Sequence, residues 1–205
     1  SVDYFQQAVT IGATLNEDGT ISQKELAGRL KVGHVQGDGV FKLIVDTRSI
    51  VYGSEEGVQI VRGFFNFHTH PIEAYERYSV GVGWPSATDY LGFITAATVY
   101  GTICHFVVCA EGYYVISLDK DLVTKSSCTI DKKLSLFTKS HYDIDKHSGS
   151  SYSAYIDTIN SIRYEGVKLL EIQFFPWGQS DQPFDVFFRK TNGGCPLDHI
   201  GGTCD

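Results

Sequence analysis

Gly63-Phe64-Phe65-Asn66-Phe67-His68-Thr69-His70-Pro71 ends an apolar, aromatic run in two histidines two residues apart. The run is strand-sized, and in a strand residues i and i+2 point to the same face, so His68 and His70 can reach one common ion. An H-x-H pair alone is weak evidence, because such pairs also occur on surfaces and in cores. Downstream, Pro85-Ser86-Ala87-Thr88-Asp89 reads as a helix start: Ser86 stands at the N-cap, Asp89 falls three residues on, and Leu91, Ile94, Thr95 and Thr98 follow at helical spacing. The helix is predicted to end near Gly101. An open catalytic zinc site takes three protein ligands and leaves the fourth position to water, and Asp89 is the nearest carboxylate placed to join the two imidazoles. Ser86 and Asp89 also read as a capping box, worth about 1 kcal/mol of helix stability. The two roles are compatible.

Outward from this segment, residues 3–15 carry Phe5, Ala8, Val9 and Ile11 and predict a short helix, stopped by Asn16-Glu17-Asp18-Gly19. Residues 21–35 suit a strand, and Gly37-Asp38-Gly39 signals a hairpin into a strand over residues 40–45. Residues 58–67 predict a further strand. Residues 104–110 and 113–118 read as two strands about a two-residue turn, Glu111-Gly112. Residues 120–153 are less regular, 152–165 predict a helix, and 167–175 and 184–189 predict strands. This order implies an α/β (α+β) protein, a mixed β-sheet flanked by helices, and not alternating βαβ units. Every motif falls in residues 1–120; residues 121–205 form a C-terminal extension of helix plus strands expected to pack on the same domain.

The 205 residues are 42% apolar and 20% charged, which suits one well-packed core. No apolar stretch approaches the roughly 20 residues needed to span a bilayer. A formal charge of -7, with 17 scattered basic residues, argues against nucleic-acid binding, which clusters Lys and Arg against phosphates. Five cysteines without a C-x-x-C pair favour a reducing compartment. Ser1-Val2-Asp3-Tyr4 shows neither a basic nor an apolar leader, so a retained secretory signal is not expected. The expectation is a soluble, intracellular protein, cytoplasmic or nuclear.

His68-Thr69-His70-Pro71 with Ser86-Ala87-Thr88-Asp89 resembles the H-x-H-P…S-x-x-D signature of the JAMM/MPN-plus zinc metallopeptidases. The upstream glutamate of that family, in a pattern like E-x-x-G-x-L-x-G, is matched by Glu25-Leu26-Ala27-Gly28-Arg29-Leu30-Lys31-Val32-Gly33. The resemblance covers roughly residues 21–118. It departs from the family in one respect: the loop over residues 71–85 is about twice the usual length, which is thermodynamically cheap because each doubling costs about 0.6 kcal/mol. Gly83-Trp84-Pro85-Ser86 is also similar, more weakly, to JAMM-like proteins of large DNA viruses.

The resemblance implies an MPN/JAMM-like, cytidine-deaminase-like fold. It also implies Zn2+ held by His68, His70 and Asp89, Glu25 as general base, and Ser86 as donor to the oxyanion of the tetrahedral intermediate. Glu17, Glu55 and Glu56 are the other upstream carboxylates; Glu55-Glu56 reads as a solvated loop pair, and Glu25 itself could be an exposed strand residue. The implied activity is hydrolysis of an amide or isopeptide bond, with a protein or peptide substrate of the ubiquitin-like kind. The alternatives are a non-catalytic MPN-fold module of a larger assembly, such as a virion component, and a small-molecule amidase. His34 and His105 read as hydrogen-bonded structural histidines, Cys195 and Cys204 as free thiols, and Phe174-Phe175-Pro176-Trp177 as core or interface.

Overall fold

A computed structural model describes residue 5 and residues 13–15, 21–23, 25–35, 40–53, 58–71, 75, 80–124, 132–144, 151–178 and 184–187. Its centre is a mixed six-stranded sheet of order β10-β7-β6-β5-β3-β4. The strands are β3 (Leu26–Val35), β4 (Phe41–Tyr52), β5 (Phe65–Thr69), β6 (Cys104–Val108), β7 (Gly112–Leu118) and β10 (Leu170–Pro176). Within this sheet β5 and β6 run parallel, and every other neighbouring pair is antiparallel. Two small hairpins stand apart, β1 (Ala13–Leu15) with β2 (Ile21–Gln23), and β8 (Arg163–Tyr164) with β9 (Val167–Lys168). The described helices are α1 (Ala87–Tyr100), α2 (Lys120–Thr124), α3 (Lys132–His141) and α4 (Tyr152–Ser161).

A parallel pair needs a crossover, and α1 supplies it between β5 and β6, so the mixed sheet holds one βαβ unit and not an alternating series. β5 and β6 are buried along their whole lengths, as central strands covered on both faces must be. Period-2 alternation then sorts their side chains. Phe65, Phe67, Cys104, Phe106 and Val108 join Leu26, Leu30, Tyr113 and Val115 in a core on one face, where Phe5 packs against Phe67 and Phe106. Val107, Cys109, Tyr114 and Ile116 face the other way, under Tyr90, Phe93 and Ile94 of α1. Each of these large side chains contributes roughly 1.5–3 kcal/mol on burial. Leu134, Tyr142, Tyr155 and Ile159 complete that second core, with α3 packed on α1 and α4 on β10. Phe174, Phe175 and Trp177 pack inward at the end of β10, on Tyr114, Tyr113 and the Cys109 carbonyl respectively.

Several boundaries differ from the sequence reading. Ala13–Leu15 is a strand paired with Ile21–Gln23, so the helix expected over residues 3–15 does not reach its predicted end; Phe5 is helical, and residues 6–12 and 16–20 lie outside the described residues. Residues 21–35 divide between β2 and β3 instead of forming one strand. β4 continues to Tyr52, past the predicted end at residue 45. Residues 58–62, with Val58, Ile60 and Val61 apolar, are not strand, and β5 begins only at Phe65. The β6–β7 connection spans Cys109 to Glu111 and is closed by the Cys109 amide on the Gly112 carbonyl at 2.9 Å. The irregular stretch after residue 120 contains α2 and α3. α4 ends at Ser161 because Glu165 (φ 49) and Gly166 (φ 79) turn the chain into a β-hairpin. Phe184 to Phe187 is not strand; residues 188 and 189, with Cys195 and Cys204, lie outside the described residues.

Candidate metal centre

The sheet presents Asn66, His68 and His70 on the α1 face, because Phe65, Phe67 and Thr69 occupy the other. His68 and His70 stand at the carboxyl end of β5, and α1 begins beside them. Ser86 caps α1 with extended backbone (φ -85, ψ 165), and Gly101 ends it in the left-handed region (φ 75). Asp89 therefore lies in the first turn, where the positive end of the helix favours a carboxylate. The capping box is complete: the Ser86 amide donates to Asp89 Oδ2 at 2.8 Å, and the Asp89 amide donates to Ser86 Oγ at 3.1 Å.

Asp89 also faces both imidazoles. Its Oδ1 is 3.2 Å from His68 Nε2 and its Oδ2 is 3.2 Å from His70 Nε2, while the two Nε2 atoms are 3.1 Å apart. These are the described residues that converge as a group able to hold a metal. Bonds of about 2.0–2.1 Å in a tetrahedral zinc site place neighbouring ligand atoms roughly 3.3 Å apart. The spacing fits.

The outer nitrogens of both histidines are engaged. His70 Nδ1 is 2.7 Å from the Gly83 carbonyl, which can only accept, so Nδ1 carries the proton and the Nε2 lone pair of the neutral ring turns toward Asp89. His68 Nδ1 is 2.7 Å from His105 Nε2, and His105 Nδ1 is 2.6 Å from Asn66 Oδ1. Burial, and then the neighbouring His68, push His105 well below the usual histidine range. For Asp89, burial raises the carboxyl, but the positive charge that His68 and His70 carry in their protonated form outweighs it and holds the group well below the usual range. Side-chain exposure is 5% for His68, 13% for His70 and 16% for Asp89, so the centre is shielded yet reachable.

The long loop is tied down next to the site. Glu111 Oε1 accepts from the Gly83 amide and its Oε2 from the Tyr75 hydroxyl, both at 2.5 Å. A side chain at Gly83 would run into the Tyr75 hydroxyl and Cys109. Trp84 stacks on Tyr155 of α4 with centroids 4.3 Å apart and an interplanar angle of 6°. The loop segment that offers its carbonyl to His70 is thus held from β7's turn on one side and from α4 on the other.

Glu25 immediately precedes β3, and its carbonyl accepts from the Gly53 amide at 2.8 Å. β3 pairs antiparallel with β5, Ala27 opposite His68, and the Leu26 amide donates to Thr69 Oγ1 at 2.9 Å. The ladder ends at the Ala27–His68 pair, two residues after Glu25. Leu26 and Leu30 face the other core, so alternation gives Ala27 the site face, and Glu25 lies one residue before the strand. Gly28 in the E-x-x-G pattern is required by packing: a Cβ there would lie 2.7 Å from Ile50 Cδ1 and 2.8 Å from Phe67 Cε1.

Asn66, His105, Gly83 and Glu111 were not among the predicted site residues. Asn66 had a legible signal, a polar residue two before His68 in an aromatic strand. His34 lies on β3 opposite Lys42. No helix among the described residues is long and apolar enough to cross a membrane. Comparison with protein-family models, curated proteins and solved structures found no significant match.

Proposed function

We propose that this chain is a zinc-dependent hydrolase of the JAMM/MPN-plus type, cleaving an amide or isopeptide bond in a protein substrate of the ubiquitin-like kind. The observation that carries the reading is the convergence of His68 Nε2, His70 Nε2 and an Asp89 carboxylate within 3.1–3.2 Å of one another. With both Nδ1 atoms donating outward, the two nitrogens and the carboxylate meet as acceptors, an arrangement that a cation satisfies. Zinc, when bound, supplies a Lewis acid that lowers the pKa of a coordinated water to about 7.

The chain's own residues divide the remaining work. Glu25, one residue before β3, is the group we assign to take a proton from the attacking water and return it to the leaving amine. Ser86 Oγ receives the Asp89 amide, which leaves its hydroxyl proton to donate to a developing oxyanion, a contribution of about 3 kcal/mol in comparable sites. The exposed residues Ile44, Val51 and Tyr52 on edge strand β4 favour a second reading, a non-catalytic MPN-fold module that docks on partners.

Elemental mass spectrometry on the purified chain, with His68→Ala and Asp89→Ala beside it, tests the metal. One zinc per chain, lost in both variants, is expected; no zinc in any preparation rejects the proposal. A zinc-loaded chain inert on every peptide and isopeptide substrate supports the second reading.

A further inference from the structure

We infer that Asn66 and His105 are positioning residues that hold the His68 ring and lock its proton on Nδ1, so that Nε2 faces the centre before any ion arrives. The inference rests on the metal-centre reading above and concerns residues outside its ligand set.

The direction of each bond follows from the end that is fixed. Asn66 Nδ2 donates to the Val61 carbonyl at 2.9 Å, which orients the amide and turns Oδ1 toward β6. A carbonyl oxygen only accepts, so His105 Nδ1, 2.6 Å away, carries the hydrogen. His105 is fully buried, and its ring is neutral there, so its Nε2 holds a lone pair. That lone pair accepts from His68 Nδ1 at 2.7 Å. His68 Nε2 is then left deprotonated and directed at His70 and Asp89.

The relay is built into the sheet. Asn66 and His105 are Cα partners in the parallel β5–β6 ladder, and Asn66 and His68 share one face of β5. None of the relay side chains is solvated: Asn66 and His105 are 0% exposed and His68 4%. A hydrogen-bonded acceptor behind a metal-ligating histidine fixes its tautomer and raises its basicity, and loss of such a partner typically weakens metal binding roughly 10–100-fold. Here the acceptor is another histidine, itself fixed by an amide, in place of a carboxylate or a backbone carbonyl.

The test uses the full chain in three forms, wild type, His105→Phe and His105→Gln, with zinc affinity measured by competition against a chromophoric chelator. His105→Phe keeps an aromatic ring but offers no acceptor, and the expected result is a roughly 10–100-fold loss of affinity. His105→Gln offers an amide oxygen to His68 and an amide N–H to Asn66, and is expected to restore wild-type affinity. Long-range 1H–15N spectra of metal-free wild type should show His68 as the Nδ1–H tautomer. Wild-type affinity in a folded His105→Phe variant, or an Nε2–H His68 in the metal-free protein, overturns the inference. If His105→Phe does not fold, the tautomer spectrum of wild type decides the question by itself. Failure of wild type to bind zinc rejects the metal reading instead, and the same spectrum still decides the relay.

Discussion

Ser86 and Asp89 bond each other twice, amide to side chain in both directions, at 2.8 and 3.1 Å, while the same Asp89 carboxylate faces two imidazoles. One residue thus fixes the start of α1 and completes the candidate metal centre. Asp89→Ala is expected to lose zinc entirely and to cost about 1 kcal/mol through the cap. Elemental analysis and chemical denaturation measure the two losses separately.

Ser86→Ala separates capping from chemistry. The expected cost is again about 1 kcal/mol of stability. Zinc content should be unchanged, with kcat lower by roughly 10²–10³-fold through loss of the oxyanion donor. Unchanged kcat in a zinc-loaded Ser86→Ala protein would remove Ser86 from the machinery and leave it as a cap.

Glu25→Gln keeps the size of the side chain and removes its basicity. Hydrolysis should be abolished with zinc content and melting temperature close to wild type. Full activity in this variant would mean that another group accepts the proton.

Glu111 anchors the loop through the Gly83 amide and the Tyr75 hydroxyl. Glu111→Ala strands both donors, and a loss on the order of 2–3 kcal/mol is expected from two hydrogen bonds to a carboxylate. Because the Gly83 carbonyl holds His70, zinc affinity should fall with it, which isothermal titration can read.

Cys104 is buried, and burial alone raises its thiol above the usual range. The folded chain therefore keeps a proton that the unfolded chain gives up above about pH 9, so the thiol's contribution is complete below that pH and is lost as pH rises. Denaturation curves of wild type and Cys104→Ala should diverge above about pH 9 by up to about 1.4 kcal/mol per pH unit, wild type falling faster. Below about pH 8 the difference between them should not vary with pH.

The centre was more legible in the sequence than the sheet around it. His68, His70 and Asp89 could be read because strand alternation and helix capping are local rules, and each acts within a few residues. Glu25 rests on the upstream motif alone, because it lies one residue before β3, where strand alternation does not reach. His105 could not be connected to Asn66 by any local rule: they are 39 residues apart and meet only because β5 and β6 pair in parallel across α1. The boundary errors have another cause. Residues 58–62 are as apolar as a strand, but Arg62 stacks on Tyr100 at 4.0 Å and the Val61 carbonyl is used by Asn66, so the segment serves tertiary contacts outside the sheet.

The described residues that face the candidate ion, and those that orient them, come from the passage β5 to the β6–β7 turn, whereas Glu25, the proposed base, precedes the neighbouring β3. Capture of an ion and use of it are therefore separable in this chain. In the proposed hydrolase, loss of the Glu25 carboxyl alone would leave the ion site and the cap of α1 in place, a metal-binding protein without the chemistry.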